Sequence, residues 1–75
     1  MKTQLWEMLM TSAVADKAKA QLTLELLSEN AAGIGDHSTE DFYSNAEAAL
    51  NMLVDSVDRI KMLNKLKSGQ DLILG

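Results

Sequence analysis

The sequence predicts an all-α protein in which two long helices form an antiparallel hairpin, and two hairpins assemble as a homodimer into a four-helix bundle. The 75 residues contain no proline and only four glycines, and two of these lie close together in the middle of the chain. The segments on either side are rich in helix-forming residues, and their apolar residues recur every three or four positions. We therefore expect a single domain with helices at about 3–29 and 39–67, a loop at 30–38 and a short tail at 69–75.

The first predicted helix has apolar residues on two nearly opposite faces. A helix of this kind needs a neighbour on each side, and one partner helix cannot cover both. One face carries Leu5, Trp6, Leu9, Ala13, Ala20, Leu24 and Leu27, and the other carries Met8, Ala15, Ala18, Leu22 and Leu26. Trp6 is expected to anchor an interface or the core. The predicted interface with another chain consists of Trp6, Met8, Ala15, Leu22 and Leu26.

The central break and the start of the second helix are marked by turn and capping residues. Gly33 and Gly35 offer the positive φ angles that end a helix and turn the chain. Ser38 is a suitable N-cap, and Asp41 stands three residues later, where an acid completes a capping box. The second helix is therefore expected to begin at Thr39.

The second predicted helix has a single apolar stripe. Leu50 and Leu63 flank this stripe, and the opposite face is polar, so one neighbouring helix is enough to cover it. Asp55 and Arg59 are four residues apart and are spaced to form an ion pair. Gly69 is placed to end the helix. The stripe consists of Phe42, Ala46, Ala49, Leu53, Val57 and Ile60.

Composition excludes several classes of protein. The chain has no cysteine, which excludes disulfides and thiolate metal sites. Its net charge of −4 has the wrong sign for binding nucleic acid. No apolar run reaches the length of a membrane span, and Glu7 interrupts the first one, so we expect a cytoplasmic protein without a signal peptide. A chain this short has difficulty building a stable core alone. We expect a homo-oligomer, with a dimer as the first choice.

One group of polar residues could carry out chemistry: Asp36, His37 and Asp41. Two interpretations of this group are open. In the first, Ser38 and Asp41 cap the helix and the group has no further role. In the second, the protein is a small helical bundle that binds a metal or another ligand at this group. Metal sites in helical bundles draw more ligands from facing helices than this sequence offers. Neither a nucleophile with its base nor a phosphate-binding loop is present. We therefore expect no enzymatic activity and no cofactor.

The region around the break resembles small proteins of contractile-tailed marine phages that infect cyanobacteria. The resemblance is carried by residues 26–42, with the loop sequence GIGDHSTEDF as its most distinctive part, and continues at residues 45–50 and 58–60. No activity is assigned to that group. The resemblance implies a phage accessory protein and a setting in the host cytoplasm.

Overall fold

The structure of the protein is a computed structural model that describes residues 1–29 and 39–68. Helix α1 spans Thr3–Glu29 and helix α2 spans Thr39–Ser68. The two helices pack against each other along their length, and the described residues contain no strand, which confirms the predicted all-α hairpin. Several predicted features lie outside the described residues: the loop at 30–38 with Asp36, His37 and the cap Ser38, and the tail at 69–75 with Gly69.

The ends of α2 suit its own dipole, whereas those of α1 do not. Glu40 and Asp41 lie in the first turn of α2, and Lys65 and Lys67 lie in its last turn. These charges complement the partial charges of the helix ends. The first turn of α1 contains no acidic residue and its last turn no basic one. The stability of α1 therefore depends on packing more than on its ends.

The seam between the helices follows a heptad pattern. In both helices most of the buried and half-buried residues recur at alternating steps of four and three, as in an antiparallel coiled coil. Many of the most buried side chains are small, which allows the helices to approach closely. The seam consists of Trp6, Met10, Ala13, Lys17, Ala20, Leu24 and Leu27 in α1, and of Phe42, Ala46, Ala49, Leu53, Ser56, Ile60 and Leu63 in α2.

The alignment of the two helices places small residues level with large ones. The Trp6 ring lies 4.5 Å from Lys67 Nζ, and its Nε1 donates a hydrogen bond to the Leu63 carbonyl oxygen, so the start of α1 lies beside residues 63–67 of α2. Each step of seven residues along α1 is matched by seven residues in the opposite direction along α2, or about 10 Å. Counted from this contact, Ala13 lies near the level of Ile60, Ala20 near that of Leu53, and Leu27 near that of Ala46. The alternation explains how a seam rich in alanine is filled by a few larger side chains.

Several residues differ from the sequence-based assignment of faces, and the clearest are Ser56, Leu63 and Leu5. Ser56 was not assigned to the apolar stripe, yet it is completely buried in the seam, and so is most of Leu63. Leu5 was assigned to the face that contacts α2, but it is 47% exposed. The seam passes through Trp6 and Met10, and Leu5 lies three residues before Met8 on the outer side of the helix. Leu5 therefore belongs to the second apolar face of α1.

Candidate interaction surface

The outer side of α1 carries an apolar stripe that no part of the described chain covers. Met8 and Leu22 are each 56% exposed, and Leu26 is 48% exposed. We call this surface the outer stripe. Its members recur at steps of three and four, so they form a second heptad stripe about 140° round α1 from the seam with α2. The outer stripe consists of Leu5, Met8, Ser12, Ala15, Lys19, Leu22 and Leu26.

The outer stripe has large side chains at its ends and smaller or polar ones in its middle. From Leu5 to Leu26 it extends for about 32 Å at 1.5 Å per residue. Ser12 and Ala15 near its centre are exposed. Small residues at the centre of a helical surface let the backbone of another helix approach closely. The outer stripe therefore has the length and the profile of a helix-packing surface.

The apolar surface continues from α1 onto one side of α2. An open groove of about 230 Å³ is lined by Leu9, Ser12, Arg59, Met62 and Leu63. Met62 and Met52 on this side of α2 are exposed. Methionine side chains adapt to irregular contacts, which suits a surface that receives another chain. A helix that packs on the outer stripe would thus also be close to this groove.

An ion-pair network crosses the seam beside this groove. Arg59 Nη2 donates a hydrogen bond to Asp16 Oδ2 at 2.8 Å, and Arg59 Nε donates one to Asp55 Oδ2 at 3.0 Å. The hydrogen bond with Asp16 is the main cause that raises the pKa of Arg59, the charge of Asp55 adds to it, and desolvation opposes it. The pair with Asp55 confirms the prediction from spacing. The link to Asp16 was missed, because it depends on how the two helices are aligned.

Trp6 connects the two helices of the same chain. Its Nε1–H donates a hydrogen bond to the carbonyl oxygen of Leu63 at 2.6 Å, and Lys67 Nζ lies over the ring. The indole is half-buried. Trp6 thus belongs to the seam with α2 rather than to the outer stripe, and a contact between Trp6 and another chain stays a prediction.

A smaller apolar patch lies on the other side of α2. Tyr43, Leu50 and Val54 are exposed there, and Leu50 has an exposed fraction of 52%. The Tyr43 ring meets that of Phe42 edge to face, with 6.1 Å between the centroids. Glu47 interrupts the patch between Tyr43 and Leu50. Leu50 is exposed to a similar extent as Leu22 but belongs to a shorter, interrupted surface, so it serves as a reference for the outer stripe.

The residues proposed for a metal or ligand site are only partly described. Asp36 and His37 lie outside the described residues, and Asp41 is an exposed residue in the first turn of α2. Within residues 1–29 and 39–68, no group of three histidine, cysteine, aspartate or glutamate side chains is placed to hold a metal ion.

The sequence and the fold were compared with known proteins. No protein-family model, curated protein or solved structure matches the chain. Neither described helix is sufficiently long and apolar to cross a membrane. Within residues 1–29 and 39–68, the molecule is a small helical hairpin in which α1 packs one apolar face against α2, and the large side chains of its second apolar face stay about half exposed.

Proposed function

We propose that this is a non-enzymatic helical protein that acts through contacts with other protein chains, and that its first partner is a second copy of itself. The outer stripe of α1 is the observation that supports this proposal, because four large apolar side chains spaced for helix packing remain about half exposed. Covering them with the same stripe of another hairpin removes both surfaces from water. The product is a dimer of four helices.

The resemblance of the loop region to cyanophage proteins supports an accessory role in a phage-infected cell. A dimer formed through α1 would leave the polar side of α2 outward, with Glu47, Asn51 and Asp58 exposed. Such a dimer can offer two copies of the same polar surface to further partners. We therefore propose self-association as the basis of the function rather than as its whole extent.

Sedimentation equilibrium at micromolar concentrations tests this proposal. We expect the wild-type protein to sediment with twice its chain mass of 8.2 kDa. Leu22→Asp places a charge in the outer stripe and should shift the protein to monomer, because burying an unpaired carboxylate is costly. Leu50→Asp is the matched control, since it changes a leucine of similar exposure outside the stripe, and it should leave the dimer intact. A folded wild-type monomer at these concentrations would contradict the proposal.

A further inference from the structure

The charged residues of the hairpin are separated along its long axis. We call the end where α1 begins and α2 finishes the open end, and the end where α1 finishes and α2 begins the closed end. Among the described residues, the open end carries four lysines and one acid: Lys2, Lys61, Lys65, Lys67 and Glu7. Within the part of the closed end that the structure describes, there are five acids and no basic residue: Glu25, Glu29, Glu40, Asp41 and Glu47. The described charges are therefore mainly positive at one end of the hairpin and negative at the other.

The charges at the ends of α1 are unfavourable for that helix taken alone. Glu25 and Glu29 lie in its last two turns, where the helix dipole is negative, and Lys2 precedes its first turn, where the dipole is positive. A second α1 running in the opposite direction would place Lys2 near the acids at both ends of the pair. A second α1 running in the same direction would place acids beside acids.

The outer stripe is also self-complementary when one copy is reversed. Its large residues stand on both sides of a centre near Ala15, with Leu5 and Met8 before it and Leu22 and Leu26 after it. Reversing the helix about this centre brings the large residues of one copy to the large residues of the other. Ala15 of one copy then meets Ala15 of the other at the centre, where the helices can approach closely, and Ser12 comes near Lys19 of the second copy.

Building on the proposed function, we infer that the second copy packs antiparallel along α1, with a twofold axis near Ala15. Each α1 then lies between its own α2 and the other α1. The positive open end of each hairpin lies beside the negative closed end of the other. Met8 of one copy comes close to Leu22 of the second copy, whereas the two Met8 residues are about 20 Å apart, because fourteen residues separate them along the axis.

Disulfide trapping tests this arrangement, because the chain has no cysteine of its own. Three variants are prepared: Met8→Cys, Ala15→Cys and Leu22→Cys. Oxidation should join Ala15→Cys to itself, and it should join Met8→Cys to Leu22→Cys in an equimolar mixture. Met8→Cys alone and Leu22→Cys alone should stay unlinked, since a disulfide requires Cα atoms within about 7 Å. Mass spectrometry distinguishes the mixed product by its mass.

The control is Val54→Cys, an exposed position on the other side of α2 that should stay unlinked. Sedimentation of each reduced variant shows whether it still forms the dimer. Rapid linking of Met8→Cys to itself would show a parallel pair and overturn the antiparallel arrangement while leaving the proposed dimer intact. A dimer without the expected links would place the interface elsewhere and also overturn it. Monomeric protein throughout would overturn the proposed function itself.

Discussion

Ser56 is the most buried polar side chain among the described residues and stands in the middle of the seam. Its Oγ donates a hydrogen bond to the carbonyl oxygen of Leu53 at 3.0 Å, so the hydroxyl is satisfied within α2. With this bond made inside the helix, the residue can serve as a small filler between the two helices. The sequence does not predict this role. A serine on the exposed face of a helix and a serine in a close-packed seam cannot be distinguished until the alignment of the partner helix is known.

Replacing Ser56 tests the importance of small volume at this position. Ser56→Leu should reduce the free energy of unfolding by about 1–3 kcal/mol, because a larger side chain in a filled seam forces the helices apart. Ser44→Leu adds the same atoms at an exposed position of α2 and should change it by less than about 0.5 kcal/mol. Urea unfolding followed by circular dichroism measures both values. Equal changes in the free energy of unfolding would show that the seam around Ser56 is loosely packed and can accept a larger side chain.

At the scale of the helices, much of the architecture could be predicted from periodicity and turn residues. The observed bounds Thr3–Glu29 and Thr39–Ser68 lie within one residue of the predicted ends. The assignment of faces was less complete, since Leu5 is adjacent in sequence to the seam residue Trp6, and Leu63, predicted to flank the stripe, is itself a seam residue. The spacing of a single chain determines which residues share a helix face, but the partner determines which face becomes the seam.

The Asp16–Arg59 pair shows the same limit for side-chain contacts. The pair with Asp55 lies within one helix and follows from sequence spacing, whereas the one with Asp16 spans 43 residues. Asp55 is more exposed than Asp16. Because exposed pairs within a helix contribute little, the link to Asp16 should be the more important of the two.

Two matched variants separate these ion pairs. Asp16→Asn should lower the midpoint of thermal unfolding more than Asp55→Asn, because only the first variant weakens a contact between the helices. High salt should narrow the difference by screening the charges. The opposite order would show that Arg59 acts within α2 alone.

The raised pKa of Arg59 also predicts how the thermal stability of the wild-type protein responds to pH. A cation whose pKa is raised by folding contributes its full stabilisation below its unfolded pKa and loses it only as the pH rises through the folded value. That window lies in strongly alkaline solution. Between about pH 6 and 9, therefore, Arg59 should contribute no pH dependence to the thermal midpoint of the wild-type protein.

At the scale of the whole molecule, the two helices differ in how many apolar faces they carry. α2 has one principal apolar seam, and α1 covers it. α1 has two apolar faces, and the described chain covers one of them. A short chain without disulfides gains little stability from a single seam, and association is one way in which small helical proteins complete their core. Folding and dimer formation are therefore expected to be coupled.

The concentration dependence of unfolding tests this coupling most directly. Unfolding of the wild-type protein is measured at two concentrations that differ about a hundredfold, both above the dissociation constant of the dimer. If a second copy completes the fold, the apparent stability should rise by about 2.7 kcal/mol per dimer at the higher concentration, and the unfolding midpoint should rise with it. The same midpoint at both concentrations would show that the hairpin folds alone, and would contradict a core completed by a second copy.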